Sequence, residues 1–365
     1  MNKKETYYFL GNCLSIGDNP EFISRFKELS ALEAVDWEGF VRLASVHLVT
    51  PLFFPKFREN NLLDYLPAEL GSYLEEIYLL NLNRNKKLIL QIDEINLELN
   101  YKDIYPIYLK GAGNLLDGLY SDPGERIMVD IDLLTSDEDF LKSVEILRSI
   151  GYNNPETTDV DTITCQHYPR MMRDGTVSGI EVHRLPVSVK YSKLLNYDII
   201  AGEMRTPEGR PGCLVLSDKH KVMLSFIHSQ LSHRGHKYGT ASLRDVYDLW
   251  LLSKRINYAD IHFPEPIISK ASDYFYLMGR ITGSEGIRTE RKPGKFSVFL
   301  LKHDMNLTSE TLYKINLVVI QLSAYFNAFV SIFTSRKIRT SVIKKLSSRE
   351  WYAKHIKTWK RLIGI

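Results

Sequence analysis

Cysteine is scarce in this sequence. Only Cys13, Cys165 and Cys213 occur, far apart and without a C-x-x-C pair. Zinc ribbons and disulfide frameworks need several closely spaced cysteines, so this pattern argues against both classes. It fits a protein of the reducing cytoplasm.

Other features are missing as well. The N-terminus has no apolar stretch of signal-peptide length, and the chain has no low-complexity tract and no internal repeat. We therefore expect a cytoplasmic protein that is not secreted. With 365 residues, 44% hydrophobic and 25% charged, the chain should form about two or three globular domains, at a usual size of about 150 residues each.

Positive charge is concentrated at the C-terminus. Residues 334–365 hold ten lysines or arginines and the single acid Glu350, a net charge of +9, whereas the whole chain carries +3. The preceding run, 315–333, is the most apolar of the chain but is interrupted by polar residues. We favour a buried or partner-facing amphipathic helix there over a membrane-associated one. The basic tail 334–365 would suit an anionic membrane or a nucleic acid.

Hydrophobic periodicity divides the chain into three regions. Residues 1–100 and 191–365 have mostly helical patterns, and 70–100 has almost no helix breakers, which predicts one long helix or two abutting ones. Between them, residues 101–190 alternate β-rich runs with short helical ones, including a hairpin around the turn at Asp174 and Gly175. The pattern predicts an α+β fold, with a small mixed sheet flanked by helices.

The stretch 109–134, LKGAGNLLDGLYSDPGERIMVDIDLL, organises this central region. It predicts a strand, a tight turn at Gly111, a short helix, a loop and a second strand carrying Asp130 and Asp132. Residues two apart in a strand point to the same side. Two adjacent carboxylates repel each other unless a cation neutralises them, so the pair indicates a divalent metal.

Glu181, in the later run IEVH, is a candidate third carboxylate if its strand lies beside that of the two aspartates. Mg²⁺ prefers oxygen ligands and commonly combines carboxylates with substrate phosphates. The turn at Gly111 opens a helix, where backbone amides favour phosphate oxygens. Metal and phosphate sites together predict in-line phosphoryl chemistry.

These motifs resemble the uncharacterised nucleotidyltransferases of the DNA polymerase β superfamily, over roughly residues 30–255. The resemblance implies a nucleotidyltransferase core in which Asp130 and Asp132 hold metals. Glu181 would be the third acid, on the metals or available as general base, and Gly111 stands at the glycine turn of the family. Ala112 departs from the usual Ser or Gly, which removes a potential hydroxyl contact to phosphate.

By this resemblance the protein is expected to move an NMP group from an NTP, such as ATP, to an acceptor, with Mg²⁺ and release of pyrophosphate. The acceptor stays open among a small molecule, a protein and an RNA. One alternative is a non-catalytic module on the same fold that binds a partner or membrane through 315–365. Another is a toxin-like transferase that modifies tRNA or protein.

Two cations near the motif have open roles. Lys110 either contacts a triphosphate or is a strand-end lysine. Arg126 either steadies the loop through Asp122 or binds a phosphate with both arms of its guanidinium; we slightly favour the structural role. In the later helix, Arg244 and Asp248 are four apart, which predicts a salt bridge, and Arg244 or Asp245 is a weaker candidate for substrate contact.

Histidines raise a zinc hypothesis, which we do not favour. Two of the four candidates, His228 and His233, are five residues apart, a poor match on one face of an α-helix, and no cysteine is near. Capping or core packing is expected instead. Packing is also the default for His167 and His183. The full set of four candidates is His220, His228, His233 and His236.

Overall fold

The computed structural model describes residues 1–154, 165–265, 267–284, 287 and 297–334. It is a mixed structure of helices and one small sheet, which confirms the predicted α+β class. The α-helices are α1 (Lys3–Leu14), α2 (Pro20–Ala31), α3 (Trp37–Val46), α4 (Phe53–Glu59), α5 (Ala68–Asn100), α6 (Lys110–Leu116), α7 (Phe140–Ser149), α8 (Tyr197–Ala201), α9 (Asp218–Phe226), α10 (Gly235–Tyr238), α11 (Leu243–Leu252), α12 (Ile268–Thr282), α13 (Val298–Thr308) and α14 (Glu310–Thr334). The strands are β1 (Ile107–Tyr108), β2 (Asp130–Leu134), β3 (Gly179–His183) and β4 (Leu214–Val215).

The first four helices pack around an aromatic cluster. Phe9, Phe26, Phe40, Phe53 and Phe57 are buried and lie in ring contact with one another. Aromatic side chains bury large apolar areas, and their edge-to-face and stacked pairs add a further contribution. These short helices are therefore held by their apolar faces rather than by helix propensity.

A single helix of 33 residues, α5, supports the sheet region. The sequence left open one helix or two, and the structure has one because no proline or glycine interrupts its interior after Gly71. Its buried amides bind the backbone of the loop before β2. The Nδ2 of Asn81 donates to the Gly124 carbonyl (2.7 Å), and the Nδ2 of Asn85 donates to that of Arg126 (2.7 Å).

The sheet has the strand order β3-β2-β1-β4. Strand β2 runs parallel to β3 and antiparallel to β1, and β1 runs parallel to β4. Asp132 lies directly opposite Glu181 in the register. This confirms that the strand of Glu181 lies beside that of the two aspartates.

The predicted hairpin appears as isolated bridges rather than as two regular strands. His167 pairs with His183, and Met171 pairs with Ile180, both antiparallel. Residues 155–164, which include the start of the first arm, lie outside the described residues.

The described residues divide into two compact units, Met1–Arg234 with Ala241–Lys295, and Gly235–Thr240 with Phe296–Ile365. The three regions 1–100, 101–190 and 191–365 stay a prediction. The apolar run 315–333 falls within α14. Among the described helices, none has the length and apolar character needed to cross a membrane. Within the basic tail, residues 335–365 lie outside the described residues.

Candidate active site

Strand β2 separates its acidic side chains from its apolar ones. Ile131 and Leu133 are fully buried in the core, and the alternation of a strand places Asp130 and Asp132 together on the opposite face. Asp132 is only 2% exposed, whereas Asp130, at the strand entrance, is partly exposed. The strand thus carries one carboxylate into the protein and leaves the other near its surface.

The Asp132 carboxylate has two cationic partners. Its Oδ1 accepts hydrogen bonds from Lys110 Nζ (2.7 Å) and from His183 Nε2 (2.8 Å). Burial alone would raise the pKa of Asp132, but the charge of Lys110 and the His183 hydrogen bond hold it well below its usual value. Asp132 is therefore ionised despite its burial.

Strand β3 brings Glu181 and His183 to the same face as Asp132. The distance from Glu181 Oε2 to His183 Nε2 is 3.6 Å, and that to His167 Nδ1 is 3.9 Å. The nearby His183 side chain lowers the pKa of Glu181, against the effect of burial. For His183, burial would lower the pKa, but Asp132 and Glu181 outweigh it and raise it. The two acids thus favour the protonated form of the imidazole.

Asp130 lies on the same face but is compensated less well. Burial and the charges of Asp132 and Glu181 raise its pKa, and Lys110 and Arg170 oppose the rise only in part. The Asp130 carboxylate is therefore only partly compensated by these two cations. An added divalent cation would relieve this repulsion.

The turn at the start of α6 differs in detail from the prediction. The residue in the left-handed region is Lys110, at φ 49°, and not Gly111. Gly111 is required for space, because a Cβ there would lie 2.6 Å from Met128 Sδ. The left-handed conformation costs a non-glycine residue about 1–2 kcal/mol. In this conformation the Lys110 side chain reaches Asp132. Ala112, two residues later, is buried.

Arg126 is buried, and its guanidinium is occupied by protein partners. Its Nε and Nη2 donate to the Asp248 carboxylate (3.0 and 2.8 Å), and Nη1 donates to the Ile127 carbonyl. Asp122 instead accepts from the Tyr78 hydroxyl (2.8 Å). The geometry favours the loop-steadying role, with Asp248 as the partner in place of Asp122.

The predicted salt bridge between Arg244 and Asp248 is replaced by this pairing. Besides Arg126, Asp248 accepts from the Tyr120 hydroxyl (2.9 Å). Arg244 lies 3.9 Å from Asp245 through Nε and Oδ1, and burial raises the pKa of Asp245. A substrate contact by Arg244 or Asp245 stays a prediction.

From the sequence, His183 is expected to be a packed histidine, and no local pattern points to Arg84 or Arg170. The available signal for His183 was its spacing, two residues after Glu181 on the same strand. Arg84, on α5, and Arg170 influence Asp130 electrostatically. They donate to the carbonyls of Val177 (3.2 Å) and Val129 (3.0 Å), respectively. No local pattern connects these residues with β2, because tertiary packing brings them there.

One group of metal-ligating side chains is compact enough for an ion among the described residues. One ligand atom from each of Asp132, Glu181 and His183 lies within 4.8 Å of the others. His183 Nδ1 lies 3.3 Å from the Leu185 carbonyl, which orients Nε2 toward the carboxylates. Of the other candidate histidines, His220 is buried and the ring of His236 stacks on that of Phe299.

A small mixed sheet that presents two aspartates and a glutamate beside a tight strand-to-helix turn is typical of nucleotidyltransferases. A family model described as "Uncharacterised nucleotidyltransferase" matches residues 33–274, well over half of the chain. The chain belongs to this family, which confirms the resemblance and makes it a transferase of phosphorus-containing groups. Comparisons with the curated proteins and with the solved structures find no match.

Proposed function

We propose that this protein transfers an NMP group from an NTP to an acceptor hydroxyl in a magnesium-dependent reaction. The acceptor oxygen attacks the α-phosphorus, the bond from that phosphorus to the bridging oxygen breaks, and pyrophosphate leaves with the electron pair. The observation that carries this proposal is the convergence of Asp132, Glu181 and His183 on the face that Asp130 shares.

The donor set fits a divalent cation. Asp130, Asp132 and Glu181 offer carboxylate oxygens, which suit Mg²⁺, and His183 adds a nitrogen, which suits Mn²⁺ or Zn²⁺ better. When bound, such an ion would activate the attacking oxygen and stabilise the leaving pyrophosphate. Without it, Lys110 and His183 neutralise part of the charge of Asp132.

The side chains of the site divide the remaining tasks. Glu181 is the candidate acceptor of the hydroxyl proton, because its carboxylate lies on the same face as Asp132. Lys110 is placed to exchange Asp132 for a phosphate oxygen of the NTP, and we propose that the backbone at Gly111 and Ala112 seats the phosphates beside it. Arg126 positions the loop before β2 rather than contacting phosphate.

We propose the acceptor only as a class, which is a small molecule, a protein or an RNA, and ATP is one candidate for the NTP. The proposal also includes a cytoplasmic location, membrane association through 315–365 and contact of 334–365 with nucleic acid. The basic charge of 334–365 supports such an anionic contact.

The test is to incubate the protein with each α-³²P-labelled NTP, Mg²⁺ and cell extract, and to follow transfer of label to any acceptor. Wild type should label an acceptor, and Asp132→Asn should reduce labelling at least about a hundredfold, since it removes a charged group at the reacting centre. Asp137→Asn, an exposed acid after β2, is the matched control. Folded wild-type protein that labels nothing with any NTP would overturn the proposal.

A further inference from the structure

Helix α9 widens into a π-helix at Ile227–Ser232. The amide of His233 donates to the carbonyl of His228 (2.9 Å), five residues earlier. Such wide turns are rare because they pack less well than α-helix, and they occur frequently at functional sites. This backbone is therefore the first sign that the segment has a functional role.

The π-helix brings together two histidines that an α-helix would separate. Residues five apart on an α-helix differ by about 140° around its axis. In this wider turn the rings of His228 and His233 face each other, with their centroids 4.3 Å apart. The five-residue spacing, which argues against a shared face on an α-helix, therefore does not separate the two rings on this π-helix.

His228 lies within electrostatic range of the candidate active site. The charges of Lys110, Asp132 and His183 all act on its imidazole. Burial, followed by the charge of Lys110, lowers the pKa of His228 to about 3, so the ring is uncharged at neutral pH. Among the described residues, none hydrogen-bonds to the His228 side chain, whose only side-chain partner is the His233 ring.

The position of the π-helix is anchored to the strand that carries the site. At its end, the hydroxyl of Ser232 lies 3.2 Å from that of Ser188, in the segment that follows β3. Helix α9 also packs on α6, which Lys110 begins. These two contacts tie the segment that carries His228 to the elements next to the carboxylates.

We propose that the π-helix Ile227–Ser232 forms a wall of the nucleotide site, in which the His228 imidazole donates a hydrogen bond to a phosphate oxygen of the NTP. This rests on the proposed nucleotidyl transfer, which supplies the triphosphate. A neutral donor has a physical advantage at this position. A second ammonium group would pair with Asp132 and compete with a metal ion, whereas an uncharged N–H binds phosphate without doing so.

The test is binding of each α-³²P-labelled NTP with Mg²⁺ by equilibrium dialysis, for wild type, His228→Ala and His228→Gln. Because a hydrogen bond to a charged phosphate is lost, we expect about a tenfold higher Kd in His228→Ala. His228→Gln, whose amide also donates, should recover most of the affinity. The exposed His262, changed in His262→Gln, is the matched control and should bind as wild type does.

The outcomes separate this inference from the proposed function. If wild type binds an NTP and His228→Ala binds it equally well, the inference is overturned while nucleotidyl transfer stands. The inference is also overturned if His228→Ala binds NTP normally but no longer transfers the NMP group, because His228 would then act on the acceptor. If His228→Gln is no better than His228→Ala while both melt at the wild-type temperature, the hydrogen-bond role is also overturned. Wild type that binds none of the four NTPs overturns both proposals.

Discussion

At the scale of single residues, the two aspartates of β2 have opposite electrostatic surroundings. Asp132 is buried but paired with Lys110 and His183, and its pKa is held low. Asp130 is more exposed than Asp132, yet its partial burial and the charges of Asp132 and Glu181 raise its pKa. The two aspartates, two positions apart on one strand, would therefore contribute differently to the binding of one cation.

Lys110 competes with a metal ion for Asp132 because both bind the same carboxylate. We predict that Lys110→Met binds Mn²⁺ more tightly than wild type, on the order of tenfold, because a competing charge is removed. The same variant should bind NTP more weakly, since it lacks the ammonium group. Titration calorimetry with Mn²⁺ and then with NTP measures both effects. Lys142→Met, an exposed lysine on α7, is the control, and weaker Mn²⁺ binding by Lys110→Met would contradict the prediction.

The fold class and the carboxylates were accessible from sequence because each depends on local patterns. The spacing of Asp130 and Asp132, the helical run of α5 and the β-rich runs are all short-range signals. The role of His183 was not accessible in this way. It depends on the register that places Asp132 opposite Glu181, and sequence separates those strands by almost fifty residues.

At the scale of elements, the loop before β2 is tied to α11. Arg126 and Asp248 form a buried two-pronged pair, and Glu125 accepts from the Tyr247 hydroxyl (2.7 Å). Removing one partner of a buried ion pair leaves the other charge buried without compensation. This loop therefore sets where β2 begins.

We predict that Arg126→Met lowers the free energy of unfolding by about 3–5 kcal/mol because it leaves Asp248 uncompensated. The double variant Arg126→Met with Asp248→Leu should recover much of this loss. Urea unfolding of the two single variants and the double variant measures the coupling. A variant Arg126→Met of wild-type stability that fails to bind NTP would instead support a phosphate contact.

The lowered pKa of His228, in the π-helix, predicts that the stability of the protein depends on pH. The folded protein holds the pKa of His228 at about 3, whereas the unfolded chain has the usual value of about 6.5. Below pH 6.5 the unfolded state takes up a proton that the folded state does not. The stability that the neutral ring contributes is therefore present above pH 6.5 and is lost as the pH falls toward 3.

His228→Gln lacks this titration. Between pH 7 and pH 4.5 we expect the variant to lose less free energy of unfolding than wild type does, by on the order of 2 kcal/mol. Urea unfolding at the two pH values measures the difference, and His262→Gln should behave as wild type. Equal losses in His228→Gln and wild type would show that His228 is not held neutral.

At the scale of the whole molecule, metal binding should couple to stability. An ion that binds only the folded state stabilises it by about 2.7 kcal/mol at a hundred times its Kd. We predict that Mg²⁺ or Mn²⁺ raises the Tm of wild type by several degrees, that EDTA reverses the rise, and that Asp132→Asn abolishes it. Differential scanning calorimetry is the measurement. A rise of the same size in Asp132→Asn would place the ion elsewhere.

The sequence by itself determined the α+β class and the strand pair Asp130 and Asp132, because spacing and local motif carry that information, and it offered Glu181 as a candidate third acid. Only the tertiary structure decided which cations neutralise them. It paired Lys110 and His183 with Asp132 and turned Arg126 toward Asp248. Helix packing also brought His228, on a turn that propensity does not predict, to the charges of the site. Such choices depend on long-range packing and burial, which no local pattern contains.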